Sequence, residues 1–380
     1  MQTSLLSPSV EVLGAIEIVE TESGWITFDR LPTWTKSQHA NGDIGRWARM
    51  PSGVRIRFAT YSETLQMRVH VYRLTIKGLS EEPGLAGFDL LIDGEEHSTA
   101  QTVSGGVVRL TMDGPKVTEE EYIRGDSEII SFSNLGKGLK QVEIWLPSSG
   151  IVEIESIQSE NELLPPNSEI KKKWIHYGSS ISHCIEAERP MNIWSVHASR
   201  LLDLSIQNFG LAGECHIDGF IARTIADIDS DFISLKLGIN IVNADSMRER
   251  IFIPAVHNFL DIIRDKRPTT PIMVISPICC PFHEENPGPT LISTSGLYSL
   301  PRSHDLGHGS LNLPRIRKLL EELVSNRNDP NLYYMNGLEL FSSSDVHMMP
   351  DQLHPNPDGY RLIGERFAAI QGPLIKKLLK

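Results

Sequence analysis

The run Trp174-Ile175-His176-Tyr177-Gly178-Ser179-Ser180-Ile181-Ser182-His183-Cys184 begins as an apolar strand and stops at a glycine followed by three serines within four positions. A polar turn leading into a helix would account for it. So would a nucleophile held at the carboxyl edge of a sheet. The surrounding chain has to discriminate between them.

Downstream, short apolar runs alternate with helical patterns. The strands expected are Trp174–Tyr177, Leu204–Asn208, Phe232–Leu237, Ile272–Ile275 and Leu332–Met335. Helical periods follow over Asn192–Leu202, His216–Ile225, Met247–Asp265, Leu313–Asn326 and Asp358–Leu379. Such alternation implies an α/β domain in three layers, with a five-stranded parallel sheet between helices. Residues 277–310, rich in Pro, Ser, Gly and His, read as a long irregular connection, the kind of loop that is functional or mobile.

Upstream the period is two. Val54–Phe58, Leu65–Val71, Phe88–Ile92, Val107–Met112, Glu128–Phe132 and Gln141–Leu146 are short and mostly alternating. Turn signals such as Asp93-Gly94 and Gly136-Lys137-Gly138 separate them, and the pattern predicts an antiparallel β-sandwich. The period changes across Asn161–Ser168, with its Pro165-Pro166 pair. The expected domains are therefore 1–165, the sandwich, and 166–380, the α/β domain.

Bulk composition bounds the partners. The 380 residues are 40% hydrophobic and 22% charged, enough apolar material for two cores. A formal net charge of -12 argues against nucleic acid or an anionic membrane as partner. No apolar run approaches the roughly 20 residues of a bilayer span. The N-terminus has no basic n-region and no clean apolar h-region, which argues against a secretory signal and for the cytoplasm. Four cysteines in a chain of this length read as reduced, packed thiols.

Open parallel sheets bind ligands beyond the carboxyl ends of their strands. Four such ends carry Gly178-Ser179-Ser180-Ile181-Ser182, Asn208-Phe209-Gly210-Leu211-Ala212-Gly213-Glu214, Gly238-Ile239-Asn240 and Asp351-Gln352-Leu353-His354-Pro355. In order and spacing these motifs resemble those of the SGNH, or GDSL-type, hydrolases, a family of esterases and acyltransferases. The resemblance covers residues 172–380 and implies a flavodoxin-like hydrolase domain. The upstream half is similar to the β-sandwich that precedes this domain in one subgroup.

Carried over position by position, the resemblance implies that Ser180 is the nucleophile, His354 the base and Asp351 its carboxylate. It implies that the Ser180, Gly213 and Asn240 donors hold the oxyanion. Ser179 stands where the family usually has Asp, and Ile241 where its third motif often ends in Asp.

The residue types suit that chemistry on their own terms. Serine at neutral pH needs a base to take its proton during attack. Histidine titrates near that pH, and a carboxylate on its other nitrogen fixes the tautomer. A tetrahedral intermediate needs preorganised donors for its oxyanion. Glycine at 213 lets a backbone amide approach substrate with no side chain between them.

Competing readings attach to several of these positions. Ser179 is the rival nucleophile, Ser182 reads as a helix cap, and His347 after Asp345 is a rival base. His304 and His308 invite a metal reading, but the Gly, Ser and Pro around them disfavour a helix, and no HExxH is present. Neither a metal nor an organic cofactor is expected. Arg30–Gln38 departs from the alternating pattern; it either packs between domains or brings Trp34 or Arg30 to the substrate. The resulting expectation is a serine esterase acting through an acyl-enzyme on a small ester or acylated sugar. Acyl transfer to an alcohol or sugar is the alternative, and a non-catalytic carbohydrate-binding protein the third reading.

Overall fold

The structure is a computed structural model that describes residues 1–39, 42–78, 82–113, 116–168, 171–293 and 296–380. The chain divides into two compact units. The first comprises Met1–Met112, Val117–Ile170 and Ile185–Ile193; the second comprises Asp113–Lys116, Lys171–Cys184 and Trp194–Lys380.

Two sheets make up the first unit. One runs, in spatial order, Lys116–Ile123, Gly106–Asp113, Leu65–Ile76, Gly150–Ser159, Ile26–Asp29 and Glu17–Glu20, with Gln2–Thr3 and Glu128–Phe132 paired off this path. The other runs Glu11–Leu13, Arg55–Thr60, Lys140–Trp145, Ala86–Ile92 and Glu95–Thr102. Alternation aims Ile56, Phe58, Phe88, Leu90 and Ile144 of one sheet and Met67, Val69, Val71, Val152 and Ile154 of the other into a single apolar core. The antiparallel rule is broken where Leu65–Ile76 and Gly106–Asp113 pair in parallel.

The expected strands are present, most with shifted ends, and others join them. Glu95–Thr102 is mostly exposed and polar, so no apolar alternation marks it. Gly150–Ser159 alternates, but its register shifts between Ile154 and Ser156, where a bulge interrupts the period.

Residues Ile185–Ile193 belong to this unit through buried Asp89. Its carboxylate accepts from Arg189 Nε at 2.9 Å, Thr99 Oγ1 at 2.6 Å and the Met191 amide at 2.8 Å. Arg30, one of the two residues considered for the substrate cleft, is fully buried. Its Nε donates to the Met50 carbonyl at 2.7 Å and Nη2 to that of Trp47 at 2.6 Å. Burial draws its guanidinium down to about 9, still charged at neutral pH, so these carbonyls compensate a charge that is costly to leave unpaired. Arg30 is thus a core anchor and not a substrate contact. Trp34 lies on the 3₁₀ turn Thr33–Ser37, with 41% of its surface exposed.

The second unit is a three-layer α/β domain. Its strands are β1 (Lys172–Gly178), β2 (Leu204–Gly210), β3 (Phe232–Lys236), β4 (Ile272–Ile275) and β5 (Leu332–Met335). All are parallel, in the order β2-β1-β3-β4-β5. Side chains of β1 alternate between the two helical layers. Trp174 stacks on Phe367 of the helix Pro357–Leu378, at a centroid distance of 5.1 Å. Tyr177 stacks at 5.4 Å on Phe259 of the helix Glu249–Lys266. Each such ring buried contributes ~2–3 kcal/mol of transfer free energy, which fixes β1 between the layers.

The connection 277–310 is more ordered than its composition implies. It contains a helix over Pro281–Glu285, a hairpin of Leu291–Ser293 with Gly296–Tyr298, and a short helix His304–Gly307. That last helix contradicts the expectation from the flanking Gly and Pro; Ser303 starts it, and the Gly307 N–H closes on the Ser303 carbonyl at 2.7 Å. Among the described residues no helix is long and apolar enough to cross a membrane.

Candidate active site

The site begins where β1 ends. Gly178 is required by a close approach, because a Cβ there would lie 2.2 Å from Ser182 Oγ. Ser179 then caps the four-residue helix α1 (Ser180–His183), its hydroxyl accepting from the Ile181 N–H at 3.3 Å. The capping residue is therefore Ser179. Ser182, expected to cap, instead meets His176 Nε2 at 2.7 Å, while His176 Nδ1 meets Ser234 Oγ at 2.7 Å. Burial, aided by the charge of Lys236, draws His176 down to about 3, so this bridge is neutral at physiological pH. Asn208 of β2 completes the support by donating to the Ser182 carbonyl at 2.9 Å. Sequence reading missed His176 and Asn208 as supports; the only signal was a histidine inside an otherwise apolar strand.

This packing leaves Ser180 directed at the last loop of the chain. His354 Nε2 lies 2.9 Å from Ser180 Oγ, and His354 Nδ1 lies 2.6 Å from Asp351 Oδ2. Asp351 Oδ1 also accepts the amides of His354 at 2.7 Å and Leu353 at 2.9 Å. Burial works against the Asp351 charge, but the hydrogen bonds and charge of His354 outweigh it and bring the carboxyl down to about 2. Because that carboxylate only accepts, it places a proton on His354 Nδ1. Nε2 is left with a lone pair facing the Ser180 hydroxyl. The loop is anchored by Cys280, whose thiol donates to the Gln352 carbonyl at 3.4 Å, and by Asn356, which caps the final helix.

The other two motifs stand at the ends of β2 and β3, on either side of β1. Gly213 has φ 74°, and an added Cβ there would meet nothing within 4 Å. Backbone conformation, not crowding, demands glycine at this position. Asn240 lies in the first turn of the short helix Ile239–Asn243, where its Oδ1 accepts the Cys215 N–H at 3.0 Å. A backbone amide can only donate, so this bond settles which end of the Asn240 amide is oxygen. Among the described residues the Asn240 amide nitrogen and the Ser180 and Gly213 N–H groups make no hydrogen bond. These three donors stand at the ends of β1, β2 and β3, neighbouring strands of one sheet.

The rival residues are engaged elsewhere. Ser179 is fully buried as the cap. Asp345 is tied to Arg366 at 2.6 Å and closes a capping box with Ser342, and His347 Nδ1 meets the Ser344 carbonyl at 3.1 Å. His304 and His308 lie 6.2 Å apart, with the His304 side chain 92% exposed.

Residues 171–280 match the sequence model of the GDSL-like lipase/acylhydrolase family. No curated protein sequence matches the chain. Among solved structures, the salicylyl-acyltransferase SsfX3 from a tetracycline biosynthetic pathway is 23% identical, with a TM-score of 0.81 over 100% of this chain and 99% of its own. A protein from Bacteroides ovatus described as a GDSL-like lipase is 20% identical, with a TM-score of 0.68 over 98% of this chain and 96% of its own. A family two carbohydrate esterase from Clostridium thermocellum is 15% identical, with a TM-score of 0.59 over 96% of this chain and 98% of its own. At these identities the structures speak for the fold, sandwich included. The segment that matches the GDSL-like lipase/acylhydrolase model carries Ser180, Gly213 and Asn240.

Proposed function

We propose that this chain is a serine esterase that cleaves small carboxylic esters, acylated sugars among them, through an acyl-enzyme on Ser180. The observation that carries the reading is the row of contacts from Ser180 Oγ to His354 Nε2 and from His354 Nδ1 to Asp351. In this reading His354 takes the Ser180 proton as Oγ attacks the ester carbonyl. Asp351 holds the imidazolium that forms. The amides of Ser180 and Gly213 and the Asn240 side chain receive the negative charge on the carbonyl oxygen, and His354 returns its proton to the departing alkoxide. Water, activated by the same imidazole, then attacks the acyl carbon and releases the acid.

Acyl transfer is the second reading. It uses the same acyl-enzyme and differs only in an alcohol taking the place of water. It is supported by the salicylyl-acyltransferase whose fold the chain follows over its full length. Trp34 is assigned a substrate contact in either reading, on the support of its exposed ring at an irregular turn.

Hydrolysis of a short aryl ester, measured with and without added alcohol, separates the readings. Rapid acid release unaffected by alcohol supports the esterase; a new ester formed in preference to acid supports transfer. Absence of turnover with both acceptors, and no labelling of Ser180 by an organophosphonate, would refute both. Trp34→Ala should change the preference among acyl or alcohol groups at unchanged stability. Identical preference to the parent would remove Trp34 from the site.

A further inference from the structure

Three residues after Gly213, His216 makes two hydrogen bonds that the proposed chemistry has not used. Its Nε2 lies 3.0 Å from the Gly213 carbonyl and its Nδ1 lies 3.1 Å from Ser246 Oγ. The carbonyl only accepts, so Nε2 carries the proton. In the neutral ring Nδ1 then accepts from the Ser246 hydroxyl. Burial lowers the basicity of this imidazole while the bond to the Gly213 carbonyl works the other way; burial prevails, and the neutral ring is favoured.

Ser246 is itself fixed to the turn that carries Asn240, its N–H donating to the Ile241 carbonyl at 3.1 Å. Cys215, between Gly213 and His216, gives its N–H to Asn240 Oδ1 at 3.0 Å. The four-residue stretch 213–216 is therefore tied to that short turn twice, through the Cys215 N–H and through the His216 ring, which also holds the Gly213 carbonyl. One bond orients the Asn240 amide; the other fixes the carbonyl of the glycine whose N–H is the second donor. Gly213, at φ 74°, has the widest conformational freedom of any residue and needs such a restraint. A rotation that carried its carbonyl toward the serine would set a negative dipole where the oxyanion forms.

We infer that His216 is a positioning residue of the oxyanion hole: it clamps the Gly213 carbonyl to the Asn240 turn and so keeps both donors aimed at one point. The inference rests on the proposed serine chemistry, and it predicts a loss in the chemical step with substrate binding intact. Removing a whole oxyanion donor costs about 10²–10³ in kcat. A donor left in place but loosened should cost about tenfold.

The test compares His216→Ala, His216→Gln and Ser246→Ala on a short aryl ester, with Ser180→Ala alongside. The glutamine amide can still donate to the Gly213 carbonyl. Support for the clamp is a kcat reduced about tenfold at unchanged KM in His216→Ala, with most of that loss recovered in His216→Gln. Should the alanine variant fail to fold, the readings from His216→Gln and Ser246→Ala stand: near-parental kcat in the first and a several-fold loss at unchanged KM in the second. Parental kcat in His216→Ala, a loss shared equally between kcat and KM, or no recovery with glutamine overturns the inference. Activity retained in Ser180→Ala would instead overturn the serine chemistry itself, so the two failures are distinguishable.

Discussion

Asp351→Asn should disable the site by reversing one hydrogen bond. In the native loop the carboxylate accepts from His354 Nδ1 at 2.6 Å, which leaves Nε2 free to accept the Ser180 proton. Asparagine can keep the two backbone amides of Leu353 and His354 on its oxygen. Its NH₂ then faces Nδ1, the imidazole proton moves to Nε2, and that nitrogen points a hydrogen at the hydroxyl it should deprotonate. A wrong tautomer of this kind costs about 10⁴ in kcat. Alanine imposes no tautomer, so Asp351→Ala should be no worse than Asp351→Asn although it deletes more atoms.

The stability cost is small beside this. The fall from the ordinary 3.8 to about 2 spans about 1.8 pH units, ~2.4 kcal/mol at 1.36 kcal/mol per unit. The Asp351 side chain is 38% exposed, so solvent screening reduces that figure to ~1 kcal/mol. Because the folded value lies below the unfolded one, this stabilisation is complete above the ordinary 3.8. It is lost as pH falls through about 2. Aryl-ester kinetics at neutral pH and urea melts between pH 7 and pH 2 measure the two effects separately. An asparagine variant within tenfold of the parent, or an alanine variant far less active than the asparagine one, would refute the tautomer argument.

Ser180→Ala should abolish turnover with almost no change in melting temperature. Ser179→Ala should retain turnover but lose about 0.5 kcal/mol of stability, at the low end for a cap because its bond is long; kinetics and melts of the pair check both. Asn240→Ala should lower kcat by about 10²–10³, since it deletes a donor and leaves the Cys215 amide without its acceptor. Gly213→Ala should destabilise by ~1–2 kcal/mol through its left-handed backbone alone, seen as a shifted urea midpoint, because space for the methyl is open. His354→Ala should be inactive and His347→Ala near parental in the same ester assay; the reverse pattern would reassign the base.

Much of this molecule is local and was therefore legible. A strand or helix writes its burial period into consecutive residues, so the change of period near Pro165-Pro166 and the five parallel strands could be read directly. Motifs at strand ends were legible for a related reason, since a parallel sheet sends every carboxyl end to one edge and makes sequence order a guide to proximity. Contacts between distant segments were decided by tertiary structure alone. Ser179 and Ser182 are chemically alike and three residues apart, yet one caps a helix while the other pairs with His176, because only packing places an imidazole beside Ser182. The parallel pairing of Leu65–Ile76 with Gly106–Asp113 follows from the order in which strands meet, which alternation does not encode. His216 bonds to Gly213 only three residues away, but its second partner, Ser246, lies thirty residues on. A bridge of that kind has no period and no motif; it exists only once the ends of β2 and β3 lie at the same edge of the sheet.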